Sequence, residues 1–303
     1  MKLFFTVTEQ YEQERIDKCI CAQYDDLSRS HVQRLVKEGA VLYNGNPCKV
    51  NQKVSANDEI MIDLPDSKEI EVEPENIPLI ILYEDSDVIV VDKPKGMVVH
   101  PANGHYSGTL VNALLYHCKD LSGINGVLRP GIVHRIDKNT TGSVIACKND
   151  LAHNEIAKQL KEHSINRHYL ALVHGVIEEE SGVIDAPIGR SEKDRKKMAI
   201  NYRNGKEAVT TFTVVKRYQG YTLVDCKLQT GRTHQIRVHM ASIHHPVVGD
   251  DVYCSLKPPC KLEGQALHAY LLGFMHPRTK EYIEVRSELP GYFTDLLSRL
   301  KPL

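Results

Sequence analysis

Two stretches of this chain concentrate side chains able to do acid–base or nucleophilic chemistry. The first is Gly131-Ile-Val-His-Arg-Ile-Asp-Lys-Asn-Thr-Thr-Gly142, where an apolar pair leads into His134, Arg135 and Asp137. A carboxylate at a strand end, followed by a glycine turn, is held rigidly and still faces a cleft. Taken alone, Asp137 serves equally well to cap a turn, the commoner use of a loop aspartate. The second stretch runs from Leu228 to Met240 as Leu-Gln-Thr-Gly-Arg-Thr-His-Gln-Ile-Arg-Val-His-Met. Here Ile236 and Val238 alternate with Gln235, Arg237 and His239, which predicts a strand with its apolar face inward. Gly231 permits a close backbone approach, and Arg232 follows at the mouth of that strand. A guanidinium suits a bidentate carboxylate or a phosphate. His234, His239, His244 and His245 raise the question of a metal. On a strand, however, His234 and His239 face opposite ways, and no cysteine or carboxylate stands at a familiar ligand spacing. No metal site is expected.

The elements that must position these groups follow from periodicity and turn chemistry. Strands are predicted at 88–91, 143–147, 169–173, 210–215, 222–228, 235–239 and 282–285, and helices at 110–118, 152–162 and 291–300. Strands dominate and short turns separate them. The pattern predicts an α+β fold with a largely antiparallel mixed sheet and flanking helices, not a doubly wound one. Residues 1–65 read as a separate small α/β unit. Ser28 caps a helix that ends at Gly39, residues 40–43 form a strand, Asn44-Gly45 makes a tight hairpin turn, and strands follow at 49–50 and 54–62. On that helix Arg29, His31, Arg34 and Lys37 form a basic set. The segment 66–78 is charged and carries two prolines, a linker composition, and 79–303 is the larger domain.

Composition narrows the classes further. A net charge of -1 excludes a uniformly basic nucleic-acid coat and leaves local basic patches as the route to RNA. No window approaches the ~18 apolar residues of a membrane span, and the N-terminus lacks the apolar run of a secretory signal. A cytoplasmic protein is expected. The eight cysteines contain no C-x-x-C pair and read as reduced thiols. A Walker motif, G-x-G-x-x-G and a G-x-S-x-G nucleophile elbow are all missing; Ser107, in Gly-His-Tyr-Ser-Gly, has the wrong register.

The ordered motifs resemble the RluA family of pseudouridine synthases, and most closely its RluD-like branch. They are His134-Arg-Ile-Asp137 through Gly142, Leu228 through His239, and Pro246-Val-Val-Gly-Asp250. Between the first two lies Tyr169-x-Ala171-x-Val173-x-Gly175. Upstream stands Val90-Val-Asp-Lys-Pro-Lys-Gly96; downstream stand Gln265-Ala-Leu-His268 and His276-Pro277. The family's usual leucine is Ile136 here, and its T-S-G is Thr140-Thr141-Gly142. Residues 1–65 resemble the alpha-L (S4-like) RNA-binding domain through Arg15-x-Asp17, Ser28-Arg29-Ser30, Leu35-Val36, Gly39, Val41, Asn44-Gly45, Val54 and Asp58-x-Ile60, with Asn57 where a glycine is usual.

The resemblance implies an isomerase that converts uridine to pseudouridine in RNA and needs neither a redox cofactor nor ATP. It implies Asp137 as the catalytic carboxylate, with Arg232 as the cation that keeps it ionised and Tyr169 as the pocket aromatic. Arg29, Arg34, Lys37, His134, Arg135 and Arg237 are the expected RNA contacts, and the basic stretch 190–197 with Arg203 and Lys206 is a further one. The expected partner is large-subunit (23S) ribosomal RNA or a pre-ribosomal particle, bound by a monomer. Transfer RNA as the substrate, a non-catalytic ribosome-assembly factor, and a hydrolase using the histidine-rich stretch are the competing readings. Only the enzyme reading requires Asp137, Tyr169 and Arg232 together.

Overall fold

The computed structural model describes residues 2–24, 27–64, 72–101, 106–126, 129–192, 194 and 197–303. Chain contacts divide it into two units, Met1–Ile70 and Glu71–Leu303. In the first unit β1 (Lys2–Thr6) is followed by α1 (Ile16–Gln23), α2 (Arg29–Lys37), β2 (Val41–Tyr43), β3 (Asn46–Pro47) and β4 (Glu59–Asp63). The strands form one sheet in the order β1-β4-β2-β3. Ser28 Oγ accepts from His31 N–H at 3.4 Å, and Asn44 and Gly45 both turn through the left-handed region that a two-residue hairpin needs. The expected strand at 54–62 shortens to β4, and the return strand falls at Asn46–Pro47 instead of 49–50. Ile16, Ile20, Val32, Leu35, Val41, Ile60 and Ile62 close this unit's own core.

The second unit contains β5 (Ile80–Glu84), β6 (Val88–Lys93), α3 (Leu110–His117), β7 (Thr141–Cys147), α4 (Asp150–Lys161), β8 (Asn166–His174), β9 (Ser181–Asp185), β10 (Ile188–Arg190), β11 (Met198–Ile200), β12 (Val209–Tyr218), β13 (Tyr221–Leu228), α5 (Gln235–Ser242), β14 (Leu267–Met275), β15 (Tyr282–Arg286) and α6 (Gly291–Ser298). Nine strands make one sheet in the order β5-β6-β7-β14-β8-β13-β12-β9, with β15 paired to β14. The β7–β14 pair is parallel and the other pairs of the sheet are antiparallel. The expected α+β class holds. Among the described residues no helix is long and apolar enough to cross a membrane.

The chain departs from its sequence pattern in two places. Residues 66–71 of the expected linker lie outside the described residues. Residues 72–78, however, run against the second unit: Val72 is buried, Glu73 O accepts from Asn112 Nδ2 at 2.8 Å, and the Glu75 carboxylate accepts from Gly108 N–H at 3.0 Å. Residues 235–239, expected as a strand, lie in α5, where residues 235 to 240 are all buried. The alternation misled because its polar members face internal partners, not water. Gln235 binds Val209 O and the Thr210 and Thr230 hydroxyls, and His239 binds Thr210 Oγ1 and Ala186 O.

Candidate active site

Asp137 sits in the loop that enters β7, and the loop is fixed from several sides. Ile145 N–H donates to His134 Nε2 at 3.0 Å. Gln265 Nε2 donates to Thr140 Oγ1 at 2.9 Å. The carbonyl of Lys138 accepts from Gly96 N–H at 3.0 Å and from Lys93 Nζ at 3.1 Å. Lys93 is fully buried and also donates to Pro94 O at 2.8 Å and Met97 O at 2.9 Å. Three carbonyls thus use the three N–H bonds of an ammonium. Burial pushes its pKa down to about 7 against the opposing charges of Asp137 and Asp92. This lysine holds the Lys-Pro-Lys-Gly turn against the aspartate loop.

The Asp137 carboxylate is about one-fifth exposed and accepts from Arg237 Nη1 at 3.0 Å. Arg237, on α5, also grips Asp250 through Nε at 2.6 Å and Nη2 at 2.9 Å, with its guanidinium carbon 5.2 Å from the centre of the Tyr253 ring. Burial works against its charge, but the two carboxylates outweigh burial and raise its pKa. Asp250 is itself fixed by the N–H groups of Val252 and Tyr253. A carboxylate–guanidinium–carboxylate chain therefore ends on Asp137, with Arg237 oriented from behind.

Arg232 does not fill that place. Its Nε donates to Glu207 O at 2.8 Å, and it lines the cleft at the start of α5. Because 235–242 coil into a helix, the cation brought to Asp137 is Arg237, five residues farther on. The same geometry corrects the expectation that Arg237 contacts RNA: it is buried and three of its N–H groups are committed to two carboxylates.

The cleft around Asp137 measures about 500 Å³ and is lined by His134, Arg135, Ile136, Tyr169, Leu228, Arg232, Arg237 and Leu267, among others. Tyr169 stands on β8 with its pKa raised, by burial first, then by Asp137, against the opposing charge of Arg167. The His134 imidazole is neutral: burial, reinforced by Arg167, pushes its pKa down to about 3. With Nε2 accepting a backbone N–H, its proton is on Nδ1. Arg135 is exposed, its Nη1 3.4 Å from His100 Nε2. His234 occupies the left-handed region at the start of α5. Its Nε2 lies 3.9 Å from Asp137 Oδ1 and its Nδ1 2.8 Å from the Tyr253 hydroxyl.

The basic set of the first unit is partly committed. Arg29 Nε and Arg15 bind the buried carboxylate of Asp17, and Arg34 lies 3.9 Å from Glu38. Lys37 is exposed. In the basic stretch 190–197, Lys193, Arg195 and Lys196 lie outside the described residues. Lys93 and Asp250 stand inside the motifs quoted above without a role that the sequence assigns, and Arg167 lies outside them. Arg167 had a signal, since it precedes Tyr169 by two residues and so shares its face of β8.

The profile of the RNA pseudouridylate synthase family matches residues 87–242, and that of the S4 domain matches residues 14–60. The uncharacterized RNA pseudouridine synthase YlyB of Bacillus subtilis (strain 168) is 51% identical, over 98% of this chain and 97% of its own. The ribosomal large subunit pseudouridine synthase D of Zymomonas mobilis is 44% identical, over 94% of this chain and 93% of its own. Among solved structures, human RNA pseudouridylate synthase domain containing 1 superposes with a TM-score of 0.61 at 26% identity, covering 79% of this chain and 92% of its own.

Proposed function

This chain belongs to the RNA pseudouridylate synthase family, and from that premise we propose that it isomerises uridines of large-subunit ribosomal RNA with Asp137 as the reacting carboxylate. The observation that carries the residue assignment is the Asp250–Arg237–Asp137 chain, which presents an oriented carboxylate to an open cleft. The ribosomal assignment draws on relatives named for the large subunit that align over nearly the whole chain.

The target nucleotide must leave its stack to reach the cleft, at a cost of a few kcal/mol. Arg135, exposed beside Asp137, and Arg232 at the start of α5 are placed for the displaced backbone. The glycosidic bond between C1′ and N1 then breaks, and the electron-poor sugar meets the Asp137 carboxylate, which Arg237 orients. The base turns, and C5 bonds to C1′. Tyr169 packs against the ring, and its hydroxyl is the nearby group suited to the C5 proton. Atoms in and atoms out are the same, so no co-reactant is consumed.

The test is a map of pseudouridines in RNA from cells with and without the gene, with rescue by wild type and by Asp137→Ala. The expected result is loss of one or more large-subunit sites, restored by wild type and not by the variant, while the variant still binds RNA. Restoration by Asp137→Ala would remove the carboxylate assignment. Loss confined to transfer RNA would remove the ribosomal assignment and leave the carboxylate standing.

A further inference from the structure

Arg167 and Tyr169 leave the same face of β8 and both line the cleft with Asp137. Yet Arg167 is held quite differently from Arg237. It is 6% exposed, and its Nε is buried without a partner. Its hydrogen bond, Nη2 to the carbonyl of Gln229, is long at 3.4 Å. Among the described residues no carboxylate lies within salt-bridge reach of it. His134 beside it is neutral and supplies no counter-charge. A guanidinium carries five N–H donors, and a buried charge without a partner is strongly destabilising. The fold nevertheless makes room for it: a Cβ on Gly231 would stand 2.6 Å from Arg167 Nη1, so any side chain there would displace the guanidinium. One buried arginine of this cleft gives three hydrogen bonds to two carboxylates. The other lines the cleft with donors that no protein group takes, and an acceptor on a bound substrate can meet them.

We propose that Arg167 receives the negative charge that develops on the uracil when its bond to the sugar breaks. The step follows from the isomerisation itself. As the C1′–N1 bond opens, its electron pair leaves with the base, and the charge spreads from N1 onto the ring carbonyl oxygens O2 and O4. The guanidinium donates hydrogen bonds to a ring carbonyl, weakly in the bound uridine and strongly in the detached anion. That difference accelerates the reaction. The same grip keeps the free base in the cleft while it turns. C5 then supplies the electron pair of the new bond to C1′, the C5 proton passes to a base, and N1 takes up a proton, so the composition is unchanged. The RNA phosphates need not reach this depth: exposed Arg135 at the cleft is placed for them.

This inference rests on the uridine-isomerising activity, and the test separates the two. The substrate is RNA isolated from cells lacking the gene, in which the target uridine is unmodified; the enzyme is the full chain, in single turnover, read by pseudouridine mapping. Arg167→Met keeps the length of the stem and removes the charge. Its rate is expected to fall by about 100-fold or more, with RNA affinity within about threefold of wild type and a Tm equal or higher, because an unpartnered buried charge is gone. Arg167→Lys should recover about tenfold of that loss. In a transcript carrying 5-fluorouridine at the mapped site, the fluorine stabilises the departing anion. There the deficit of Arg167→Met, read as consumption of the nucleotide, should shrink by about tenfold. A rate for Arg167→Met within about threefold of wild type overturns the proposal. So does a deficit of equal size on both substrates accompanied by a lower Tm, which marks a packing role. Wild type inactive on the deletion-strain RNA would overturn the isomerase reading, and this assignment with it.

Discussion

At the scale of single residues, the two arginines of the second motif separate by what they touch. Arg237 is the sole guanidinium within 4 Å of Asp137 among the described residues, and it shares a second carboxylate, Asp250, with which it is fully buried. Arg237→Ala leaves both acids without their cation, and removing one member of a buried pair typically costs about 3–5 kcal/mol. We expect loss of activity by about a thousandfold or more together with a lower Tm, measured by pseudouridine formation and thermal unfolding. Arg232→Ala removes a bond to one backbone carbonyl and a cation at the cleft. Its rate at saturating RNA should stay within about tenfold of wild type while RNA affinity falls. His134 gives a pH-dependent expectation. Its folded pKa, pushed down to about 3 by burial and Arg167, lies below the ~6.5 of the unfolded chain. The unfolded state therefore binds the extra proton, and stability falls as pH drops from ~6.5 towards ~3. His134→Gln keeps an acceptor for the Ile145 N–H and removes the titration. Unfolding by denaturant at pH 7 and pH 5 should show the variant losing about 2 kcal/mol less than wild type over that interval.

At the scale of elements, the site depends on how tightly β7 and β14 lie together. Gly142 and Ala269 are paired across this parallel contact. Gly142 has φ of 111°, and a Cβ there would run into the backbone carbonyl of Ala269. Backbone has no rotamer with which to yield, so Gly142→Ala should cost more than about 3 kcal/mol, read as a drop in the denaturation midpoint. Its activity should fall too, because Asp137 is five residues upstream on the same run of chain. Lys93 works from the other side of that loop through three carbonyls. Much of this arrangement was legible beforehand. Strands β6, β7, β8, β12, β13 and β15 and helices α3, α4 and α6 all overlap the runs that periodicity predicts. The central strand β14 was not among them. Buried along nearly its whole length, it lacks the alternation by which a half-exposed strand is recognised.

For the whole molecule, the first unit is a core closed on itself with basic side chains on α2. Its Asp17 is fully buried, and burial alone would raise its pKa. Hydrogen bonds from Arg15, Gln33 and Arg29 prevail and hold it at about 2. Arg29 is thereby pinned, whereas Lys37 is exposed and Arg34 has only a loose, exposed pairing with Glu38 at 3.9 Å to give up on approach to phosphate. The double variant Arg34→Ala/Lys37→Ala should weaken binding about equally for RNAs of different sequence. It should also reduce the slope of log affinity against log salt by about 1–2, with the rate at saturating RNA unchanged. Titrations across a range of salt concentrations check this, and an unchanged slope would show that α2 does not face phosphate. The segment 72–78 reads as a linker by composition, but hydrogen bonds to Asn112 and Gly108 lay it along the second unit. Charge and proline content report a lack of regular structure, not a lack of partners.

The amino-acid sequence by itself determined the α+β class, the separate N-terminal unit, the family, and the two chain segments that meet at the cleft. These depend on local pattern and on motif order, which survive in one dimension. Tertiary structure alone decided which arginine reaches Asp137, and that Arg237 is held by two carboxylates while Arg167, equally buried, has none within reach among the described residues. The reason is physical. The run 235–239 alternates like a strand because each of its polar side chains has a partner inside the protein, and no periodicity tells an internal carboxylate from water. Only the packing of α5 beside the Asp137 loop, a hundred residues away in sequence, makes that distinction.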